Sequence, residues 1–402
     1  MFRTPTPQIA NNEHRTILYE DLGRVDSGAW DRLVRADADA NPFLRHAFLR
    51  ALQSSGAATP DTGWHAHFLT IWRAAQLVAV VPLYAKTHSY GEYVFDWSWA
   101  DAHERRGTPY YPKGIVAVPF TPVSGSRIIA ADRVARRYAI ATLLELVGPM
   151  GLSSLHILFA APEQIDTLAA AGMLIRTSVQ FHWNNRGYRG FDDFLAALAQ
   201  PKRKKIRAER RKVQQEGIVL QRRVGCEITE QDWHFFVRCY ENTYAVHGAP
   251  PYLNLDFFLS IAQHMPENLL LVRATRNGLP VASALAIFDR QRSELYGRYW
   301  GALEHIPCLH FECCYYQMIE FAIEQGLQVF QGGAQGAHKM ARGLDPQFTA
   351  SAHWLRDPAM HAAIGRFVAQ ERKTVATMVD ELNEHSALRA HEENLPPPTR
   401  PR

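Results

Sequence analysis

The stretch LLLVRATRNGLPVASALAIFD, residues 269–289, decides the fold of the second half of the chain. Two runs rich in aliphatic and β-branched residues flank Asn277-Gly278, a dipeptide typical of a two-residue β-hairpin turn. A third β-rich run, Glu294 to Trp300, follows after a polar turn. The sequence therefore predicts a three-stranded antiparallel meander here.

The residues before this meander predict one strand and two helices. The strand, Ile218 to Val224, begins after Gly217, and an amphipathic helix near Glu230–Val246 carries apolar residues at three- and four-residue spacing. A second helix starts at Asn254, a residue type that favours the helix N-cap.

The residues after the meander predict a crossover. The apolar period becomes helical after Pro307, and Gly326 lies where a helix stop belongs. A short strand, Leu327–Phe330, runs into a glycine-rich loop, and a last strand spans Phe348 to Leu355. Because a helix between two strands of one sheet favours a parallel pair, this half is predicted as a mixed meander sheet with flanking helices.

The first half, about residues 15–190, repeats this order more faintly. Asn41-Pro42 starts a helix that Gly56 ends. The elements predicted after it are strands at His67–Trp72, Leu77–Lys86 and Tyr93–Trp97, a loop over 98–126, a helix at Val134–Leu146, a strand at Leu155–Phe159, a further helix, and strands at Leu174–Gln180 and Phe181–Tyr188. The predicted fold class is therefore α/β (α+β), with two tandem halves built alike.

The predicted organisation has five parts. They are a first domain over 1–190, a basic linking helix over 191–216, a second domain over 217–360, a C-terminal helix over 361–388 and a tail over 389–402. The tail ends LPPPTRPR, a composition that predicts disorder.

The positive charge of the chain is concentrated in one segment. The net charge is +4, yet PKRKKIRAERRK, residues 201–212, holds eight basic residues and one acidic residue. The rest of the chain is slightly acidic, with 36 basic and 39 acidic residues. Any attraction of a polyanion is therefore expected at this segment.

Composition favours a cytoplasmic enzyme. Hydrophobic residues make up 47% and charged residues 21% of the 402 residues, which is ordinary for a globular protein. No run approaches the roughly 18 uncharged apolar residues of a membrane helix, and the first residues lack the apolar core of a secretory signal. The five cysteines show no disulfide or metal spacing, which favours reduced thiols.

Several stretches carry a resemblance to a known family. They are NPFLRHAFLRAL at 41–52, VPLYAKTHSYGEYVFDWSWA at 81–100, TPYYPKGIVAVPFTPVSGSR at 108–127, YGRYWGALEHIPCLHFECCYYQMIEFAIEQG at 296–326 and GGAQGAHKMARG at 332–343. The chain resembles the FemAB-like group of GNAT-fold N-acyltransferases, in the subfamily of peptidoglycan biosynthesis/recognition. The resemblance implies two tandem GNAT-like domains and transfer of an acyl or aminoacyl group to an amine, for which a cell-wall precursor is one candidate acceptor.

The resemblance also bears on cofactors. It implies no tightly bound cofactor and no metal, with acyl-CoA or aminoacyl-tRNA as co-substrate. The nearest match to the R/Q-x-x-G-x-G/A pattern of acetyl-CoA sites starts at Arg298, and Leu303 stands at its last position. Both donors therefore stay open, and Arg298 is a candidate donor-binding residue.

The glycine-rich loop after the strand at 327–330 is the first candidate site. Glycines allow close approach of a backbone to a ligand and supply free amides. The candidates in this loop are Gly333, Gln335, Gly336, His338, Lys339 and Arg342. The family associates a lysine at this place with acyl transfer, so Lys339 is expected to stabilise an oxyanion or bind a phosphate, with His338 beside it. A structural turn is the alternative.

The helix after Pro307 starts with a second set of candidates. His310 and Glu312 lie at its N-terminus, where Glu312 could take a proton from the acceptor amine. The alternative for Glu312 is a first-turn carboxylate that favours the helix dipole. A zinc-deaminase interpretation is not favoured, since no Pro-Cys-x-x-Cys follows.

Two further segments are candidate acceptor sites. His247 and Tyr252 lie in the turn between two helices, which borders the acceptor groove in this fold. Tyr110 and Tyr111 belong to an aromatic and polar loop that suits a sugar or peptide ligand, with packed loop aromatics as the alternative.

The basic segment is the last candidate. Lys202, Arg203, Lys204 and Lys205 are expected to contact phosphates of a tRNA or of a lipid-linked precursor at a membrane surface; an ordinary solvated face is the alternative. Two other functions stay open, a non-catalytic protein that recognises peptidoglycan precursors and a nucleic-acid-binding protein that uses this helix.

Overall fold

The computed structural model describes residues 10–11, 14–333, 337–384 and 387–388. Its strands are β1 (Ala10–Asn11), β2 (His14–Tyr19), β3 (Trp64–Ala66), β4 (Phe68–Arg73), β5 (Gln76–Val81), β6 (Leu83–Lys86), β7 (Lys113–Val116), β8 (Ile129–Ala130), β9 (Ser154–Ala160), β10 (Leu174–Asn184), β11 (Ile218–Val224), β12 (Leu269–Arg276), β13 (Leu279–Asp289), β14 (Glu294–Ala302), β15 (Val329–Gln331) and β16 (Asp345–Leu355).

The helices follow the same series. They are α1 (Ser27–Ala36), α2 (His46–Ser54), α3 (Trp97–Arg105), α4 (Arg133–Leu146), α5 (Pro162–Ala170), α6 (Phe191–Ala197), α7 (Gln200–Gln215), α8 (Glu230–Val246), α9 (Leu255–His264), α10 (Leu309–Phe311), α11 (Gln317–Glu324) and α12 (Pro358–Glu384). A π-helical segment, Glu312–Tyr316, joins α10 to α11. None of the described helices has the length and apolar character needed to cross a membrane.

Contacts divide the chain into two compact units. The first unit contains the described residues up to Ser178 and Thr349–Val375, and the second contains the described residues of 179–348 and those after 375. The chain passes between them within β10, β16 and α12. This division differs from the predicted boundary at 190–217, and it gives most of β16 and α12 to the first unit.

The first unit combines two sets of strands. Strands β1, β2, β4, β5 and β8 form an antiparallel sheet, and β3, β6, β7 and β9 pair in that order, with β7 parallel to β9. Helix α4 precedes β9, and its Ala139 and Leu143 are buried in a core that also contains Ile71 and Ile157. A crossover helix before a parallel strand is the predicted arrangement.

The second unit repeats this arrangement of a crossover helix before a parallel strand. Its strands are ordered β11-β12-β13-β14-β15-β10, in which β11 to β14 form an antiparallel meander and β15 is parallel to β14. Helices α10 and α11 form the crossover before β15. The predicted fold class, two tandem mixed sheets with flanking helices, is confirmed.

The hairpin at the centre of the second unit depends on its two turn residues. Arg276 pairs with Leu279, and Asn277 and Gly278 have φ of 52° and 79°. Positive φ at both central positions defines a type I′ turn, whose twist matches that of the flanking strands. The two turn residues therefore set the register of β12 and β13 next to the turn, up to the irregularity between Ala274 and Thr275.

Four predictions for the first half are wrong. Leu77–Lys86 is two strands, β5 and β6, which lie in different sheets. Tyr93–Trp97 is not a strand, and α3 begins at Trp97, within the predicted aromatic segment. The predicted loop over 98–126 contains most of α3 and all of β7. Trp99 and His103, four residues apart, form the buried side of α3. The helical spacing of these two residues is hard to recognise in the sequence because the other residues of the helix are mostly polar. The two strands predicted over 174–188 are one strand, β10.

The predicted basic helix over 191–216 is two helices. Helix α6 ends at Ala197, Leu198 is extended, and α7 begins with Pro201 in its first turn. Pro201 has no N–H to bond to the carbonyl oxygen of Ala197, and its ring would clash with that group, so α6 cannot continue into α7 as one helix. The C-terminal helix begins earlier than predicted, at Pro358, and the predicted tail lies outside the described residues.

Helix α8 packs directly on β14. A Cβ on Gly301 would lie 1.9 Å from the carbonyl oxygen of Cys239, so only glycine fits between strand and helix. Asn242 and Thr243 of α8 donate hydrogen bonds to the carbonyl oxygens of Ala302 and Trp300, at 2.8 and 3.0 Å. The helix thus satisfies main-chain acceptors at the end of this strand.

We expect Gly301→Ala to lower the free energy of unfolding by about 1–3 kcal/mol, because the added carbon meets backbone rather than a movable side chain. Urea unfolding followed by circular dichroism measures the change. Gly190→Ala is the matched control, since a Cβ there meets nothing within 4 Å. An equal loss in both variants would contradict the tight contact at Gly301.

Candidate functional site

A cavity lies where two parallel strands separate. Strands β14 and β15 pair from Glu294–Val329 to Tyr296–Gln331; β15 ends there, while β14 continues to Ala302. The cavity at this point has a volume of about 130 Å³. Its lining residues are Ala284, Leu285, Gly297, Arg298, Tyr299, Trp300, His310, Cys314, Tyr315, Met318, Phe330 and Gly332.

A β-bulge lies in the cavity wall. Gly297 pairs with Ala286 and Tyr299 pairs with Leu285, so Arg298 is an extra residue in β14. The extra residue of a bulge leaves the ladder locally and re-aims the adjacent side chains. Main-chain groups of β14 can therefore face the cavity instead of a neighbouring strand.

The opposite wall comes from the π-helical segment. A wider helical turn of this kind is rare and is frequently found at functional sites. It places Cys314 and Tyr315 in the wall, and burial raises the pKa of both side chains well above their usual values. The thiol of Cys314 therefore stays protonated at neutral pH and is not an activated nucleophile.

Lys339 is buried beside the cavity. Its side chain is 5% exposed, and Nζ lies 5.9 Å from the centre of the Phe181 ring. Burial lowers the pKa of Lys339 to about 8. Nζ has no hydrogen bond or ion pair with any residue that the structure describes. A buried ammonium without a carboxylate costs stability, so an anion that arrives here is favoured.

Gly332 joins Lys339 to the cavity. A Cβ on Gly332 would lie 2.4 Å from Leu344 and 3.8 Å from Cδ of Lys339, so glycine lets the lysine stem pack against the cavity wall. Gly333, a predicted site residue, has a φ of 84°, and the Cβ position there is 3.6 Å from Nζ. The structure thus places Gly333 and Lys339 close together.

His182 is a residue that the sequence analysis missed. It lies on β10 opposite Gln331, and its Nε2 is buried without a hydrogen-bond partner among the described residues. Burial and the charge of Lys339 lower the pKa of His182 to about 4, so the imidazole is neutral at pH 7. No sequence motif marks it, because only the pairing of β10 with β15 brings it here.

Arg342 is part of a buried ion pair. Its Nη2 lies 2.9 and 3.0 Å from the two carboxylate oxygens of Glu209 on α7, and its guanidinium stacks 3.4 Å from the centre of the Phe311 ring. Tyr316 also donates a hydrogen bond to Glu209. These contacts hold the loop to α7, and the ligand-binding role of Arg342 stays a prediction.

Glu312 is engaged in a similar way. Arg210 of α7 lies 3.2 Å from one of its oxygens and 3.1 Å from the other, and Gln317 donates to it at 2.8 Å. Burial raises the pKa of Glu312, and the charge of Arg210 opposes that rise. The carboxylate does not line the cavity, so in this structure it ties α7 to the π-helical segment.

The other predicted residues of the second unit are spread more widely. Arg298 and His310 line the cavity, and the His310 ring packs edge-to-face against Trp300 with the ring centroids 5.5 Å apart. His247 is exposed at the end of α8, and Tyr252 contacts Tyr244; neither lines the cavity. Gln335 and Gly336 lie outside the described residues, and so does the side chain of His338.

Tyr110 and Tyr111 belong to the first unit. Tyr110 is 4% exposed and donates to Asp96 at 2.6 Å, and the Tyr111 hydroxyl lies 2.8 Å from Oγ of Ser89. Both rings pack beside the ammonium of Lys113. Neither tyrosine lines the cavity, and their role in binding an acceptor stays a prediction.

The basic residues of α7 present a charged face. Lys204 and Lys205 are exposed, and Lys202 and Arg203 are half-buried. Among the described residues, none of these four has a carboxylate within ion-pair distance, whereas Arg210 is paired with Glu312 and Glu320. Within the described part of the chain, no three His, Cys, Asp or Glu side chains lie close enough to hold a metal.

Comparisons with known proteins agree with this architecture. The chain resembles the solved structure of FemX, with a TM-score of 0.53 and 12% identity over 85% of this chain and 99% of that one. The C-terminal domain of a putative lysylphosphatidylglycerol synthetase from Agrobacterium fabrum has a TM-score of 0.52 and 12% identity, over 87% and 96%. L-PGS from Bacillus licheniformis has a TM-score of 0.51 and 9% identity, over 85% and 97%. At these identities the likeness concerns the fold alone.

The sequence comparisons are more specific. No curated protein matches the chain. A profile of one family does match it, over residues 21–390, which is nearly its whole length and includes both units. The chain belongs to the FemAB-like family of peptidoglycan biosynthesis/recognition.

Proposed function

We propose that this protein is an N-acyltransferase, which transfers an acyl or aminoacyl group from acyl-CoA or aminoacyl-tRNA to an amine on a cell-wall precursor. The observation that carries the proposal is the cavity where β14 and β15 separate, with a bulge in one wall and the buried Lys339 beside it. The family and the names of the FemX and lysylphosphatidylglycerol synthetase neighbours support the reaction class.

The proposed chemistry is nucleophilic attack at a carbonyl. The acceptor nitrogen forms a bond to the carbonyl carbon, the oxygen becomes an oxyanion, and the C–O or C–S bond to the donor then breaks. The ammonium of Lys339 and the main chain of β14 at Arg298 stabilise the oxyanion. Fixed donors in a water-poor site are effective because they need no reorganisation as the charge develops.

Proton removal from the amine is assigned to His310 rather than to Glu312. His310 lines the cavity, whereas both oxygens of Glu312 are occupied by Arg210 and Gln317. Glu312 then acts as a positioning residue for the π-helical segment. His338, whose side chain lies outside the described residues, stays a sequence-based candidate.

The size of the cavity favours a small acyl group. An enclosed apolar cavity of about 150 Å³ holds one benzene molecule, so a volume of about 130 Å³ is enough for a small acyl group. An acetyl group or the acyl part of a small amino acid fits this space. No resident cofactor is part of the proposal, and the donor is a co-substrate.

The experiment is a donor screen. The protein is incubated with acyl-CoA esters of increasing chain length, and separately with bulk tRNA charged with radioactive amino acids, in the presence of a lysine-containing peptide as acceptor. Transfer to the peptide from one donor class supports the proposal, and small acyl groups should be favoured. Absence of transfer from every donor would favour the non-catalytic recognition protein.

Lys339→Ala should lower the transfer rate by about 100-fold or more, the usual effect of losing one oxyanion donor. Lys339→Arg, which keeps the positive charge, should retain part of the activity. The rates are measured with the donor found in the screen, and the circular dichroism of each variant verifies folding. Full activity of a folded Lys339→Ala protein would refute the role of this residue.

Lys339→Met should raise the free energy of unfolding at pH 7 by about 3 kcal/mol, because it removes a buried ammonium whose pKa is lowered from 10.5 to about 8. The lowered pKa means that the unfolded chain binds the proton more tightly than the folded one. Wild-type stability should therefore rise between about pH 8 and 10.5, and the variant should lack this rise. Urea unfolding of the wild type and of Lys339→Met at pH 7 and pH 10 measures these free energies. If the difference in stability between the two proteins is the same at both pH values, the lowered pKa of Lys339 is contradicted.

The basic face of α7 is proposed as the contact for a phosphate-bearing donor or precursor. Lys204→Gln with Lys205→Gln should weaken binding of bulk charged tRNA, and its log–log salt slope should fall by about 0.7 to 0.9 for each phosphate that is no longer neutralised. Because both side chains are exposed, stability should change by no more than about 0.5 kcal/mol.

The matched control is Arg133→Gln with Arg137→Gln, two exposed arginines of α4 without an ion pair among the described residues. If the wild type binds tRNA tightly and the α7 variant shows the same log–log salt slope, α7 does not contact the phosphates. Lack of wild-type binding to tRNA would instead favour acyl-CoA as the donor.

A further inference from the structure

The segment from Thr87 to Ser98 of the first unit exposes four aromatic side chains. Phe95 is 60% exposed, Tyr90 59%, Trp97 40% and Tyr93 38%. Single exposed apolar residues are normal on a protein surface, but a contiguous set marks an interaction site. The rings of Tyr90 and Trp97 are in contact, with centroids 4.9 Å apart, so part of the set forms one patch.

The polar side chains of the same segment point inward. Glu92 and Asp96 are at most 5% exposed, and both bind the fully buried ammonium of Lys113, which also donates to Ser89 at 2.7 Å. The carboxylates thus lie inside and the aromatic rings outside, the reverse of the usual surface pattern. A buried ion pair is weak evidence for stability, but here it fixes which face of the segment meets solvent.

The segment is anchored at a second point. Arg176 donates to the carbonyl oxygen of Phe95 at 2.7 Å, and it is itself paired with Glu371 at 2.7 Å. Main-chain anchoring leaves the Phe95 ring free to project. The aromatic side chains are therefore presented by a fixed backbone.

The exposed side chains of residues 87–98 carry no charge. The remaining side chain of the segment that could titrate near neutral pH, His88, is kept neutral at pH 7, since burial and the neighbouring Lys86 lower its pKa. A sugar site needs polar side chains beside the stacking rings, and here Ser89, Glu92 and Asp96 are already engaged with Lys113. Tyrosine and tryptophan with an uncharged apolar neighbour are instead the composition found at membrane–water interfaces.

We propose that residues 87–98 form a membrane-binding surface, whose aromatic side chains insert into the headgroup region of a lipid bilayer. The occupant is the interface of the bilayer itself rather than one particular lipid. Because the exposed side chains of residues 87–98 carry no charge, binding through this segment depends on aromatic burial. This proposal is independent of acyl transfer, since lipid binding requires no donor.

The mode of binding differs from that of the basic face of α7. Electrostatic attachment requires anionic lipid and weakens as salt rises. Attachment through residues 87–98 should occur on zwitterionic vesicles and persist at high salt. The two surfaces can therefore be separated by the choice of vesicle and buffer.

The test uses the full chain with extruded phosphatidylcholine vesicles in 0.5 M NaCl. The wild-type protein should co-sediment, and Tyr90→Ser with Phe95→Ser should lower the partition coefficient by about tenfold or more, the effect expected from two large exposed aromatic groups. Leu279→Ser with Val246→Ser is the matched control, because these residues are 70% and 74% exposed elsewhere. The control should bind like the wild type.

A second readout reports on Trp97 directly. Brominated phosphatidylcholine should quench part of the tryptophan emission of the wild type, and that part should be missing in Trp97→Phe. Unchanged vesicle binding in the aromatic variant, or absence of wild-type binding, would overturn the proposal. Loss of chitotetraose binding or of self-association in that variant, with vesicle binding unaffected, would also overturn it in favour of a glycan or a second copy of the chain.

Discussion

The separation of β14 from β15 is the constraint on which the second unit depends. Two parallel strands that stop pairing leave main-chain donors and acceptors without partners, and such groups are costly when buried. The protein compensates on one side with α8, whose Asn242 and Thr243 hydrogen-bond to carbonyl oxygens of β14. Where β14 and β15 separate, the remaining space is the cavity. The absence of a side chain at Gly301 is what allows α8 to come close enough.

The basic helix α7 connects to this site through two adjacent residues of opposite charge. Glu209 binds Arg342 of the loop that carries Lys339, and Arg210 binds Glu312 of the π-helical segment. Replacing one member of such a buried pair leaves an uncompensated charge and is strongly destabilising. The positions of the loop and of the cavity wall are therefore tied to α7. The same helix keeps other basic side chains exposed to solvent, which leaves its outer face positively charged.

The sequence predicts features that depend on local interactions. Asn277-Gly278 identifies its turn because both residues tolerate positive φ, and the apolar periods identify most helices. Trp97–Arg105 escapes prediction because its burial pattern depends on contacts with distant residues. Glu209 is visible in the sequence only as the single acid in a basic run, and its partner Arg342 is 133 positions away. His182 has no motif, and charge alone does not reveal that Glu312 and Arg342 have internal partners.

The two units differ at the point where their parallel strands stop pairing. In the first unit the parallel pair β7 and β9 is the counterpart of β14 and β15, yet it does not stay open. After Val116 the chain leaves the strand through a mostly buried segment and returns, so that Gly125 pairs with Ala160. The fully buried Arg127 then donates to the carbonyl oxygens of Leu158, Gly125, Ser126 and Val123. Burial lowers its pKa to about 9, a destabilising effect that the bonds to four carbonyl groups offset. Main-chain acceptors that a cavity would leave for a ligand are thus occupied by an arginine, which is the physical reason for assigning acyl transfer to the second unit.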